Sequence, residues 1–260
     1  MELTVDGRKV YAATGGRAFD AAKPTVIFIH GAGQDHTNWQ LPARWFAWHG
    51  HSVLAVDLPA HGRSEGPPLE SIADMAGWIG RLMTAAGVKT AALVGHSMGG
   101  VIAVEAAAAM GERISRIALL ATSLATPVND ALLAATRDDP IAAHQMITTW
   151  SYGAGAKIGG SPVPGLWMTN GNMALLATNR PGVLHAAFEA CNRWKTGPES
   201  AARIRCPALM LIGANDLMTS PRIGQKLADA IKGSRTVIIA NCGHMLTAEQ
   251  PDAVLDALIT

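Results

Sequence analysis

Three side chains in this sequence are spaced as a nucleophile, its base and the group that orients the base. Gly95-His96-Ser97-Met98-Gly99 reads G-x-S-x-G, and Ser97 follows the apolar run Ala91 to Val94 and opens a helix-competent stretch, Val101 to Met110. A strand, a sharp turn and a helix in that order expose a hydroxyl at the turn. A serine hydroxyl is a poor nucleophile at neutral pH, so it needs a general base within hydrogen-bond reach, and that base needs an orienting carboxylate. His244 comes just after the run Val237 to Ala240, and Asp216 just after Leu209 to Ile212. The chain order Ser97, Asp216, His244 is the one expected when a G-x-S-x-G turn carries the nucleophile. Asp130, beyond the Leu120 run, is an alternative carboxylate, less favoured than Asp216.

Acyl transfer to a serine develops an oxyanion, which needs prearranged N–H donors. The residue after the nucleophile supplies one, the N–H of Met98, and the segment His30-Gly31-Ala32-Gly33 after the run ending at Ile29 offers Ala32 as the other. His30 is then expected to hold that loop rather than act as a second base. Gly62-Arg63-Ser64-Glu65-Gly66 fits the same five-residue pattern, but Pro67-Pro68 follows at once and a proline pair cannot propagate a helix. Ser64 reads as a loop serine.

The elements that must position these groups follow from hydrophobic periodicity. Leu3 to Val5 and Lys9 to Ala12 flank Asp6-Gly7, a two-residue turn pair, so the chain should open with an antiparallel hairpin. Thr25 to Ile29, Val53 to Leu58, Ala91 to Val94, Ile117 to Leu120, Leu209 to Ile212 and Val237 to Ala240 are apolar throughout, as strands buried on both faces must be. Helices are expected around Trp39 to His49, over Ser71 to Ala86 with Ser71 and Asp74 as a capping pair, and from Ser97, Pro221 and Thr247. This alternation predicts an α/β fold with a mostly parallel central sheet flanked by helices. The rhythm breaks between Ser123 and Arg205, where the Gly/Pro-rich stretches Gly153 to Gly160, Pro162 to Gly165 and Gly197-Pro198 interrupt apolar segments. That is too long for a structureless loop. The expected organisation is a core of residues 1–122 and 206–260 with a small, mainly helical cap inserted at 123–205, roofing the carboxyl ends of the strands.

Composition narrows the partners. At 260 residues, with 49% hydrophobic and 16% charged side chains, the chain can bury one large core. Lys plus Arg (21) nearly balance Asp plus Glu (20), and the charges are scattered, so neither nucleic acid nor an anionic membrane is an expected partner. The opening MELTVDGRKV has no apolar run behind a basic start, and no stretch is long and apolar enough to span a bilayer. The protein is expected to be soluble and cytoplasmic. Cys191, Cys206 and Cys242 are odd in number and lack C-x-x-C spacing, which speaks against a disulfide framework or a thiolate metal site.

Taken together, HGAG with Trp39 beyond it, DLPAHGRS at 57–64, GHSMGG at 95–100, GANDLMTSP at 213–221 and NCGHMLTAEQP at 241–251 resemble the α/β-hydrolase family across most of the chain outside the insertion. The resemblance implies a Ser97-Asp216-His244 triad, Ala32 and Met98 as oxyanion donors, a helical cap, and no metal or organic cofactor. Dehalogenases and epoxide hydrolases of this fold carry an aspartate where this sequence has Ser97, which disfavours those activities. Carbon–carbon hydrolases share a GHSMGG-like turn but usually show a Gly-Pro-Gly-like oxyanion loop, from which Gly33-Gln34-Asp35 departs.

The insertion carries Met146, Trp150 and Trp167, and these with Trp39 and Met245 are expected to shape an apolar pocket. Most apolar side chains there should pack the cap's own small core, and Arg180, Arg193 and Lys195 should be solvated. The expected activity is hydrolysis of small to medium, largely apolar carboxylic esters, with water as co-substrate. A C–C bond or lactone hydrolase using the same triad, and a small-ligand receptor on the same fold, are the alternatives. The oligomeric state is open.

Overall fold

The computed structural model describes residues 1–162 and 165–260, so the Pro162 to Gly165 stretch lies partly outside the described residues. The chain opens with β1 (Glu2–Val5) and β2 (Arg8–Ala13), paired antiparallel through a turn in which Asp6 and Gly7 both have positive φ. There follow β3 (Thr25–Ile29), α1 (Gln40–Trp48), β4 (Ser52–Val56), α2 (Ile72–Ala85), β5 (Ala91–His96), α3 (Met98–Met110) and β6 (Ile114–Leu120). Among the described residues, six helices then run without an intervening strand: α4 (Asp130–Asp138), α5 (Pro140–Ser151), α6 (Ala154–Lys157), α7 (Met168–Ala177), α8 (Val183–Arg193) and α9 (Gly197–Arg203). The chain ends with β7 (Ala208–Gly213), α10 (Pro221–Ala230), β8 (Arg235–Ile239), α11 (Leu246–Glu249) and α12 (Pro251–Ile259).

The eight strands form one sheet in the order β1-β2-β4-β3-β5-β6-β7-β8, parallel from β4 to β8 and antiparallel at the β1-β2-β4 end. Alternate residues of each central strand feed two different cores, as the pleat requires. Ile27, Ile29, Leu93 and Leu119 pack with residues of α2, α3, α9 and α10 on one face. Val26, Phe28, Val94 and Leu120 pack with residues of α1 and α12 on the other. Coverage on both faces is why β3 and β4 are buried at every position. Ser71 caps α2 by accepting from the Asp74 N–H.

Two expectations change. Val237 to Ala240 was expected to be a buried strand, but β8 is the outermost strand, only Ile239 of it is buried, and Ile238 is 59% exposed. The helix expected from Thr247 is two short ones, because Pro251 can start α12 but cannot continue α11. Among the 123–205 helices, α4, α5, α7 and α8 share a small core of their own around Leu132, Ala143, Ile147, Leu176, Leu184 and Phe188, whereas Ala201 and Ile204 join the main core beside α3. Among the described residues no helix is long and apolar enough to cross a membrane.

The loops after β3 and β4 are joined through imidazoles. His30 accepts the Leu58 N–H at Nε2 (3.1 Å) and meets the Gly31 carbonyl at Nδ1 (2.8 Å), and its ring lies 4.9 Å from that of His61. His30 therefore holds the loop. Burial pushes both rings down, His61 to about 3 with His30 adding to the effect. A depressed histidine stabilises the fold fully above the unfolded value of about 6.5 and loses that contribution as pH falls toward 3, at up to about 1.4 kcal/mol per pH unit per group. The melting temperature of the wild type is thus expected to fall steadily below about pH 6.5. His61→Gln, measured by thermal unfolding across the same range, should show a shallower fall; parallel curves would sink the assignment.

Candidate active site

Ser97 stands between β5 and α3 with φ 52° and ψ −116°, a conformation that costs a non-glycine residue about 1–3 kcal/mol. Crowding around it explains the flanking glycines. A Cβ on Gly95 would collide with the Gly99 carbonyl, and one on Gly99 would collide with the Ile29 carbonyl at the end of β3. The turn is held by the Ser97 N–H donating to Leu120 O (2.9 Å) and by Ser97 O accepting from Gly100 and Val101. The side chain emerges where β5 ends, with α3 leading away beneath it.

Asp216 and His244 come from the loops after β7 and β8. Asp216 is buried, its Oδ1 accepting from the N–H groups of Met218 and Thr219 (2.8 Å each) and its Oδ2 meeting His244 Nδ1 at 2.8 Å. A carboxylate only accepts, so Nδ1 carries the proton and Nε2 is the nitrogen left to act as a base. The His244 backbone is fixed as well: its N–H donates to Ser151 O (2.7 Å), and its carbonyl lies 2.8 Å from His96 Nε2. Asp130 is exposed in the first turn of α4 and does not reach this imidazole.

Ala32 and Met98 border the same cavity as Ser97 and His244. Met98 opens α3, so its N–H has no partner one turn back. Gln34, which the sequence reading did not single out, braces the Ala32 loop. Its Oε1 accepts from the Gly31 N–H (3.1 Å) and lies 3.1 Å from His96 Nδ1, and its Nε2 donates to Met245 Sδ (3.1 Å). Burial, with His244 next in effect, pushes His96 down to about 3, so its ring is neutral and donates to the His244 carbonyl.

The cavity measures about 250 Å³. Of the side chains expected to line it, Trp150 does. Trp39 is buried against Phe28, ring centroids 5.1 Å apart, in the core beneath. Met146 packs into the small core of the inserted helices, Trp167 is 65% exposed, and Met245 is buried as the sulfur partner of Gln34. Leu217, Met218, Thr219 and Ile223 do line it and were missed, although they continue the GANDLMTSP segment whose Asp216 was singled out. No Lys or Arg of the described residues lines the cavity. Arg180 donates to the Ser64 carbonyl (2.8 Å), Arg193 to that of Glu70 and Lys195 to that of Asn192. Ser64 itself is buried, its hydroxyl donating to Asp57 O and accepting from the Tyr11 N–H, as a loop serine does.

Among the described residues one grouping has metal-binding side chains close together, Asp35, His36 and Asp57. The Asp57 carboxylate there already accepts from His36 N (2.7 Å), His36 Nδ1 (2.8 Å) and Arg63 N (2.8 Å), which makes it a brace between loops.

A model of the alpha/beta hydrolase family matches residues 26–257. The chain is 29% identical to a pimeloyl-(acyl-carrier protein) methyl ester esterase of Neisseria meningitidis over 251 residues, covering 86% of this chain and 88% of that protein. It is 42% identical over 119 residues to the dihydrolipoyllysine-residue acetyltransferase component of an acetoin cleaving system of Cupriavidus necator, of whose length it spans 30%. An enol-lactonase from Burkholderia xenovorans superposes with a TM-score of 0.88 at 24% identity, covering all of this chain and 98% of that one, a likeness of fold.

The Asp216–His244 bond predicts how reactive Ser97 is. Labelling by a fluorophosphonate probe, followed by mass spectrometry, should be at least about 100-fold slower in Asp216→Asn, since the amide favours the wrong tautomer. Asp130→Asn should label like the wild type. If the two variants behave alike, Asp216 does not orient the base.

Proposed function

The chain belongs to the alpha/beta hydrolase family, and from that premise we propose that it is a serine hydrolase of small to medium, largely apolar carboxylic esters. The observation that carries this reading is the 2.8 Å bond between Asp216 and His244 at the wall of a cavity that also exposes Ser97. In this mechanism His244 Nε2 takes the proton of Ser97 Oγ as the oxygen adds to the ester carbonyl. The oxyanion accepts from the N–H groups of Ala32 and Met98, each worth about 2.7–4 kcal/mol in such sites. Collapse breaks the bond to the leaving alkoxide, which takes the proton back from the imidazolium. Water, deprotonated by the same nitrogen, then adds to the acyl-enzyme, releases the acid and restores Ser97.

The substrate is uncharged near its scissile bond. A carboxylate held in this cavity would find no Lys or Arg among the lining residues, and burying it unpaired is costly. Leu132, Trp150, Phe188 and Leu217 suit an aliphatic or aromatic group instead. Residues 123–205 act as the cap, with α4 to α8 as its roof and α9 anchoring it on α3. Three free thiols fit the reducing cytoplasm.

Initial rates on p-nitrophenyl esters from acetate to decanoate, with wild type and Ser97→Ala in parallel, test this reading. Turnover by the wild type should fall by at least about 10⁴-fold in the variant. A wild type inert on every ester, or an equally active variant, refutes it, and turnover of a ring-cleavage dienoate or of a lactone would then identify the bond attacked.

A further inference from the structure

One buried acid has no part in the steps above. Glu249, the last residue of α11, is 3% exposed and forms no ion pair among the described residues. Its Oε1 accepts from the N–H of Gly243 (3.0 Å), the residue before His244, and its Oε2 accepts from the N–H of Gly153 (2.9 Å), just beyond α5. At the same junction Ser151 O accepts from the N–H groups of both His244 (2.7 Å) and Met245 (3.2 Å). Two hydrogen bonds thus join 151–153 to 243–245 directly, and Glu249 bridges the same segments with two more. The two backbones touch: a Cβ on Gly243 would lie 2.6 Å from Gly153 N and 2.9 Å from Glu249 Oε1.

A buried carboxylate without a cation is costly unless its oxygens are well supplied with donors. The groups that face Glu249 are Tyr152 from the segment after α5, Cys242 from the loop after β8 and Asp216 from the loop after β7, none of them a cation. Burial pushes its carboxyl above the ordinary glutamate value, the N–H groups of Gly153, Gly243 and Met245 oppose that, and the Asp216 charge adds to it. A glutamine in its place could accept from one glycine only, since its amide nitrogen would face the other donor.

We propose that Glu249 is a positioning residue for His244, fixing the Gly243 peptide and tying it to the inserted segment, so that the imidazole and the Trp150 wall of the cavity move as one unit. This rests on the reading of His244 as the base.

The test is kcat and KM for Glu249→Gln and Glu249→Asp on the preferred neutral ester, with His244→Ala alongside and thermal unfolding as a check of folding. Glu249→Gln is expected to lose at least about 10-fold in kcat with KM within about 2-fold. Glu249→Asp keeps both acceptor oxygens but is one methylene short, so its kcat should fall with KM unchanged. A wild-type kcat in Glu249→Gln, with His244→Ala inactive, would overturn the proposal and leave the base in place. Activity surviving in His244→Ala would instead remove the reading on which it rests. If neither Glu249 variant folds, amide exchange in the wild type decides: Gly153 and Gly243 should be protected together, and fast exchange at either overturns the tie.

Discussion

The structure turns on the crowding where β5 meets α3. Ser97 occupies a backbone conformation that an L-residue adopts only under constraint, and the constraint is the contact of Gly99 with the end of β3 and of Gly95 with the first turn of α3. The hydrogen bond from Ser97 N–H to Leu120 O then fixes the turn against the neighbouring strand. The glycines are therefore fixed by packing distances around the serine, and they leave the Met98 N–H at the start of α3 free of a helical partner.

Parallel pairing carries this local constraint to the other residues. β3, β5, β6, β7 and β8 run in one direction, so the loops at their carboxyl ends open onto the same edge of the sheet. Ala32 follows β3, Ser97 follows β5 and His244 follows β8, which is how residues more than 200 positions apart come to border one cavity, while Asp216, after β7, is buried in contact with His244. Cross-links between these loops then remove the remaining freedom. Gln34 ties the Ala32 loop to Met245, and His96 ties β5 to the His244 carbonyl.

The parts of this arrangement that depend on local physics were legible in the sequence. Strand runs, the Ser71 cap and the Asp6-Gly7 turn depend on residues near one another, and the placement of Ser97, Asp216 and His244 after apolar runs depends only on strand order. What failed depends on which face or neighbour a side chain meets. Val237 to Ala240 has the composition of a buried strand, and periodicity cannot tell that β8 lies outermost. Trp39 is large and apolar beside the loop after β3, a description equally satisfied by a pocket wall and by a core residue against Phe28. Leu217 to Thr219 were overlooked because a loop's course past its strand is set by contacts, here the two N–H groups that bind Asp216, and composition does not record it.

Charge placement around His244 follows from the same cross-links. His96 lies with its ring centroid 5.0 Å from that of His244, close enough that a proton on one would resist a proton on the other. Complete burial holds His96 neutral. It can therefore donate a hydrogen bond to the His244 carbonyl without adding a positive charge beside the imidazole. Asp216 bears on the ring itself, its Oδ2 meeting Nδ1 at 2.8 Å. His96 and Asp216 thus do complementary work on one residue, the first holding its backbone and the second the orientation of its ring.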